Sequence, residues 1–417
     1  QLGGCRVATT HGTDTHGRAR TAGRRRTPGG CEAVSDHDVL LHGDLWDAAR
    51  GRRPDSWLAV DDGEITGVYD DKPGHGEREL SADLLTPGLI DLHVHLVWDG
   101  SGDPVATLRR QSEQEQTIHA VEMARRQVEG GVTTIRDLGS THDIAIAVAD
   151  AARRGRIVGP RIHASGQTVI ITGGHDPFWG IPSDGVDAVR STVRAQRSKG
   201  ADLIKISATG GVYGQAVGED PGVSELSPAE VEAAVDEAHR FGLPVAVHAV
   251  GTEGIDAAVE AGADTIEHGN LMADETLETL DASDIVYEPT LFIYETVADG
   301  GPNVPAYAHE NAQRVAERHH EVFEAALERD VTITAGSDAG SPNVPHPAVH
   351  LELDRLVAGG MSEAEALTAA TRTAAECLGR PGLGVLASGT PADVVGFDGN
   401  PLDDIGATGS PSVVVAD

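Results

Sequence analysis

Eight short apolar runs recur through the middle of this chain: GLIDLHVHL, VTTIRDLG, RIHASGQTV, DLIKISATGG, PVAVHAVG, DTIEHGN, IVYEPTLF and VTITAGSDAG. Runs this short, closed by turn residues, read as strands buried on both faces. Most are separated by helical patterns such as SPAEVEAAVDEAHRFG and AQRVAERHHEVFEAALERD. The first of these opens with Ser227 and Pro228, places Glu230 at the capping-box position and closes with Gly242. Eight strands alternating with helices predict an α/β chain wound into a (β/α)8 barrel.

The two ends have a different texture. Residues 38–69 hold DVLLHGDLWDA and WLAVDDGEITGVYDD, whose short runs broken at GD and DDGE predict hairpins. GTPADVVGFDGNPLDDI and PSVVVAD return to that texture at the far end. The two ends are expected to pair as a small β-sandwich domain, residues 35–85 with 385–417, on a barrel spanning 86–384. The sequence stops right after VVVAD, which leaves room for a further strand. Residues 1–34 stand apart: Arg6, Arg18, Arg20, Arg24, Arg25 and Arg26 face only Asp14 and Glu32, among many Gly and Thr. With no apolar core for a secretory signal, this segment reads as a disordered or artefactual leader.

A length of 417 residues suits a large barrel with an appendage. No run approaches the roughly 18 apolar residues of a membrane span. The net charge of −34 argues against a nucleic-acid or anionic-membrane partner. Cys5, Cys31 and Cys377 have no metal-type spacing and are too few for a disulfide framework. A reducing, cytoplasmic setting is therefore expected. Oligomeric state is not legible, and a homo-oligomer stays open.

A barrel places its chemistry at the C-terminal ends of its strands. The first run ends in His93 and His95, two apart and so on one side of a strand. The fourth carries Lys205 between Ile204 and Ile206. A buried lysine is costly unless paired or chemically altered. It is either a strand-end lysine reaching to water or an amine that takes up CO2 as a carbamate. The fifth run ends in His248, the sixth in His268 and the eighth in Asp338. One such residue per strand means little, but five strands converging on one rim point to a metal centre. His175, in ITGGHDPFWG, and Tyr213, in TGGVYG, are further candidates for donating to an oxyanion or gripping a substrate carboxylate. Tyr213 reads equally well as an exposed loop aromatic. His163 reads as structural, and His142, His239, His309, His319 and His320 as solvated. Residues 177–182, PFWGIP, could wall an apolar substrate group, and both this loop and residues 294–310 are candidate lids.

PGLIDLHVHL, LIKISATGG, VAVHA, IEHG, GSDAG and the returning GTPADVV together resemble the amidohydrolase superfamily over roughly residues 38–417. VTTIRDLG, IITGGHD and LIKISATGGV are similar to the imidazolonepropionase-related branch that includes Xaa-Pro dipeptidases. The resemblance implies a barrel, a small β-sandwich and two divalent cations, zinc foremost. His93 and His95 would bind the more buried ion, and His248 and His268 the other. A carboxylated Lys205 would bridge them, and Asp338 would bind the buried ion and carry protons. The implied reaction is hydrolysis of an amide C–N bond by a hydroxide held between the metals, with Asp338 passing its proton to the leaving amine. The expected substrate is a small molecule: a dipeptide, Xaa-Pro or other, or an N-acyl amino acid. A mononuclear deaminase is a rival, although Gly251 stands where many deaminases place a glutamate. An imidazolonepropionase-like cyclic-amide hydrolase is a second rival. A metal-free scaffold is a third, disfavoured because all six ligand positions are filled.

Overall fold

The computed structural model describes residues 6–9, 35–214 and 220–416. The alternation expected in the middle of the chain is present. Seven barrel strands are regular: Leu89–Val94, Val132–Asp137, Arg161–Ala164, Ile204–Ser207, Val245–Ala249, Thr265–His268 and Val286–Glu288. All pair in parallel with their barrel neighbours, in sequence order.

Two places depart from a regular ladder. The third run splits at its middle: Arg161–Ala164 pairs with the second strand, and Val169, in the short strand Val169–Ile170, pairs with Ile206 of the fourth. The eighth run holds only isolated parallel bridges, Tyr287 to Ile333 and Val94 to Ala339. Backbone bonds from Tyr287 N to Thr332 O (2.9 Å) and from His95 N to Ala339 O (2.9 Å) tie it between the seventh and first strands. Its ladder breaks where Asp338 turns to a left-handed φ of 56°, which aims that side chain at the rim rather than along the strand.

Helices cover the outside as the capping signals require. Ser227 N and Oγ both donate to Glu230 Oε2, at 2.8 and 2.6 Å, at the start of helix Pro228–His239. The strands are buried on both faces, with Leu89, Ile206, Val247 and Ile266 fully enclosed, as parallel strands roofed by helices must be. No helix among the described residues is long and apolar enough to cross a membrane.

The two ends of the chain pair in one hydrogen-bonded sheet of seven strands. Its order runs Arg6–Thr9, Pro411–Ala416, Val394–Phe397, Gly74–Pro87, Ser35–Asp47, Gly51–Asp61, Glu64–Tyr69. Thus residues 6–9, inside the segment expected to be a leader, form a strand parallel to Pro411–Ala416; the rest of that segment, with Cys5 and Cys31, lies outside the described residues. A compact apolar cluster joins the two ends, with Leu41, Leu58 and Leu85 packed with Val394, Val413 and Val415. Gly74–Pro87 runs directly into the first barrel strand, so this sheet fixes where His93 begins.

Leu41 is fully buried at the centre of that cluster. Leu41→Ala is expected to cost about 2–5 kcal/mol in denaturant unfolding; a loss under about 1 kcal/mol would mean that the sheet of the two ends is loosely packed.

Candidate functional site

Most site residues sit at or near the C-terminal end of a strand, so the strand fixes the side chain while the loop leaves the rim open. His93 lies in Leu89–Val94 with His95 one residue beyond it, and Lys205 is inside Ile204–Ser207. His248 is in Val245–Ala249, and His268 closes Thr265–His268. His93, His95, His175, Lys205, Tyr213, His248, His268 and Asp338 all line one small cavity. The eight residues predicted for the site therefore share one cavity.

The distances are those of a ligand cluster. His95 Nε2 is 3.3 Å from Asp338 Oδ1, and His93 Nε2 is 3.9 Å from the same oxygen. Ligand atoms of His93, His268 and Asp338 lie within 4.8 Å of one another. The rings of His93 and His268 are 5.1 Å apart, and those of His248 and His268 are 4.7 Å apart.

The second nitrogen of each imidazole is tethered. His93 Nδ1 is 2.9 Å from Glu267 Oε2, and His95 Nδ1 is 3.1 Å from the Gly139 carbonyl. His248 Nε2 is 3.1 Å from the Gly210 carbonyl, and His268 Nδ1 is 2.7 Å from Thr290 Oγ1. The Glu267 carboxylate and the Gly139 and Gly210 carbonyls can only accept, so on His93, His95 and His248 the tethered nitrogen carries the proton and the other keeps its lone pair, while the Thr290 hydroxyl holds the His268 ring in place. That is the arrangement of metal-binding histidines. Burial pushes His248 and His268 well below the usual histidine range, which keeps them neutral and able to ligate.

Lys205 is 2% exposed, and its Nζ has no hydrogen-bond partner among the described residues. An ammonium left alone in such a place is very costly. Burial accordingly lowers its pKa and favours the neutral amine, the form that reacts with CO2. Burial alone would raise the Asp338 carboxyl, but His93 and His95 outweigh it and hold the group well below the usual carboxylate range.

Three ionic residues that the sequence reading passed over lie directly beneath His93. Arg136 Nη2 donates to Glu267 Oε1 at 2.8 Å and to Glu288 Oε2 at 3.1 Å. All three are buried. Burial works against the charge on Glu267, but Arg136 and then His93 overcome it and keep it ionised. Burial and the Glu267 charge push Glu288 the other way, toward its protonated form. Ligand atoms of His93, Glu267 and Glu288 also lie within 4.8 Å of one another. The guanidinium already bound there marks that trio as support for His93 rather than a place for a cation. Gly336 permits it: a Cβ on Gly336 would meet Glu288 Oε1 at 2.1 Å and His93 Cβ at 2.8 Å.

Several rim residues hold left-handed backbone: His268 (φ 73°), Thr290 (51°), Asp176 (59°) and Asp338 (56°). Such conformations cost of order 1–3 kcal/mol each and persist where the surroundings fix them.

The remaining candidates take particular positions. His175 stacks on His248 with centroids 4.1 Å apart, and its Nε2 is 3.3 Å from Asp176 Oδ1. Gly211 makes room for that ring, since a Cβ there would meet His175 Cε1 at 2.2 Å. Tyr213 is buried rather than exposed; its hydroxyl donates to Asp103 Oδ1 (2.7 Å) and accepts from Val105 N (3.0 Å), tying the loop to helix Pro104–Leu108. In the loop 177–182, Trp179 is 1% exposed and stacks on His95 at 4.7 Å, so it props a site residue. His319, expected in solvent, is buried edge-on to Tyr294. Burial lowers its pKa to about 3.

The sequence profile of the amidohydrolase family matches residues 84–416. An ochratoxinase of Aspergillus niger is 31% identical over 363 residues, covering 79% of this chain and 73% of its own. A solved Xaa-Pro dipeptidase with methionine in its active site superposes with a TM-score of 0.82 at 30% identity, over 90% of this chain and 97% of that one. A prolidase complexed with N-methylphosphonate-L-proline gives 0.80 at 28% identity, over 90% and 96%.

Two outcomes follow from these buried charges. Arg136→Met leaves Glu267 charged and unpaired, so unfolding free energy is expected to fall by about 3–5 kcal/mol, and a change under about 1 kcal/mol contradicts the pairing. Glu352 accepts from Leu291 N and Phe292 N at the start of the helix Leu291–Ala298, whose Ile293 and Tyr294 line the cavity. Burial raises its pKa from 4.5 to about 8. The folded state thus favours the protonated acid, and the stability this gives is complete below the unfolded pKa and is lost as pH rises through 8. Across that window the wild type should lose of order 3–5 kcal/mol that Glu352→Gln does not; parallel stability–pH curves for the two proteins would contradict it.

Proposed function

The chain belongs to the amidohydrolase family and is a hydrolase acting on C–N bonds, and from that premise we propose a binuclear centre that cleaves the amide of a dipeptide or an N-acyl amino acid. The observation that carries the reading is the unpartnered Nζ of Lys205 beside four imidazoles whose outer nitrogens are all held. The neutral amine attacks the carbon of CO2 and loses a proton, giving a carbamate whose two oxygens can each face a cation. Nitrogen and oxygen donors in this proportion suit zinc first.

His93, His95 and Asp338 would hold the more buried ion, His248 and His268 the other, with carboxylated Lys205 between them. Two bound divalent cations would polarise the scissile carbonyl and lower the pKa of a water to near neutrality. Asp338, ionised and at the rim, takes the proton of the attacking water on a carboxylate oxygen and returns it to the leaving nitrogen. His175, which lines the same cavity, would donate to the substrate oxygen. Tyr213, with its hydroxyl committed to Asp103, walls the cavity beside Trp98 and fixes where the substrate enters. Helix Leu291–Ala298 brings Ile293 and Tyr294 as a further apolar wall.

The Xaa-Pro dipeptidase and prolidase neighbours favour a dipeptide with C-terminal proline among these substrates. The ochratoxinase relative keeps other acyl amides in the set. A cyclic-amide hydrolase or a deaminase of the same family is the rival reading. Gly251, which begins the helix Thr252–Glu260, offers no acid of the kind a deaminase would use there.

Metal-replete protein should contain two equivalents of divalent metal per chain by elemental analysis. Lys205→Gln should lower that to one or none while leaving the fold intact by circular dichroism. A single equivalent in the wild type would favour the deaminase reading. On a library of dipeptides and N-acyl amino acids, Asp338→Asn is expected to lower kcat by about 10²–10⁴-fold; if the wild type turns over no member, the substrate assignment is wrong.

A further inference from the structure

A second cavity, of about 850 Å3, opens at the opposite end of the barrel. It is lined by Arg161, the first residue of its strand, whereas the histidine cluster lies at the strands' C-terminal ends. Its size falls in the range of small-molecule pockets. Nothing in the hydrolytic chemistry uses it.

Its composition runs against the rest of the chain. The protein carries a net charge of −34, yet Arg153, Arg156, Arg161 and Arg380 line this one space, with Asp202 the only acid among its lining residues. Arg153 faces Asp202 at 3.7 Å and Arg161 faces Asp393 at 3.5 Å, both long for ion pairs. The side chains of Arg156 and Arg380 have no hydrogen-bond or ion-pair partner among the described residues. Two buried polar atoms here are also unpartnered: Arg161 Nε and His163 Nε2. Burial, with Arg380 and Arg161 adding to it against Asp202, takes His163 down to about pKa 4, so its ring is neutral near pH 7 and needs no counter-charge of its own. The floor between the guanidinium groups is apolar, formed by Val128, Ala149, Ile162 and Leu383.

We infer that this cavity is a binding site for an amphipathic organic acid: a carboxylate gripped by Arg156 and Arg380, with a hydrocarbon body laid on the apolar floor. Guanidinium groups match carboxylate geometry and are weakly hydrated, so they suit a half-dry pocket. Burying the hydrocarbon adds a second contribution that an inorganic anion cannot supply. The site is independent of the hydrolytic reading, since none of its residues belongs to the histidine cluster.

The test is calorimetric titration of the full, metal-replete chain with octanoate, with 1-octanol and inorganic phosphate as the tail and the head alone. Octanoate should bind saturably and at least tenfold more tightly than either. Arg156→Gln and Arg380→Gln, together, should weaken it at least tenfold with the melting temperature unchanged, since both side chains are exposed and unpaired. Either single substitution should give part of that loss. The inference is overturned if octanoate does not saturate, if octanol or phosphate binds equally well, or if the double variant binds octanoate as the wild type does.

Discussion

The site depends on one buried ionic contact, the guanidinium of Arg136 between Glu267 and Glu288. It fixes the charge on Glu267, Glu267 fixes the proton on His93 Nδ1, and His93 Nε2 is thereby left to face Asp338. Each step is favoured by low dielectric, where an unpaired charge or polar group is costly. Arg136 also donates through Nε to the Leu92 carbonyl at 2.7 Å, so the same side chain holds the first strand's backbone. The histidine cluster is supported from below, and its side chains are held in position by the protein's own contacts.

Around that support the rim is held by strained backbone and tight packing. His268 and Asp338 reach inward from left-handed conformations, and Thr290, also left-handed, receives His268. Asp137 accepts from Leu96 N and Gly139 N, which shapes the loop carrying His95 and the carbonyl that His95 contacts. Trp179 then lies flat on the His95 ring. These contacts leave little freedom to the imidazoles, whereas Lys205 alone among the six proposed ligands has no tether. That missing tether is what the proposed carboxylation of Lys205 would supply.

Much of this was legible in the sequence because of period and type. Parallel strands are buried on both faces, so His93, Lys205, His248, His268 and Asp338 stood out against Val, Ile and Ala, and all but Lys205 fell near the end of their runs. The residues beneath were equally visible as letters: Arg136 in TIRD, Glu267 in TIEH and Glu288 in VYEP. They were passed over because a charge inside a strand has meaning only with its partner, and these partners come from strands more than a hundred residues apart. Tyr213 and His319 show the converse, since side chains on loops and helices take their burial from packing that no local pattern records. The pairing of residues 6–9 beside the last strand was illegible for the same reason, while the joining of the two ends followed from their shared texture.

Anomalous scattering from crystals of the metal-loaded protein addresses the central claim most directly. The account predicts two adjacent peaks, one against His93, His95 and Asp338 and the other against His248 and His268, with extra density on Lys205 Nζ touching both. A single peak, or one seated between Glu267 and Glu288 in place of the Arg136 guanidinium, would contradict it.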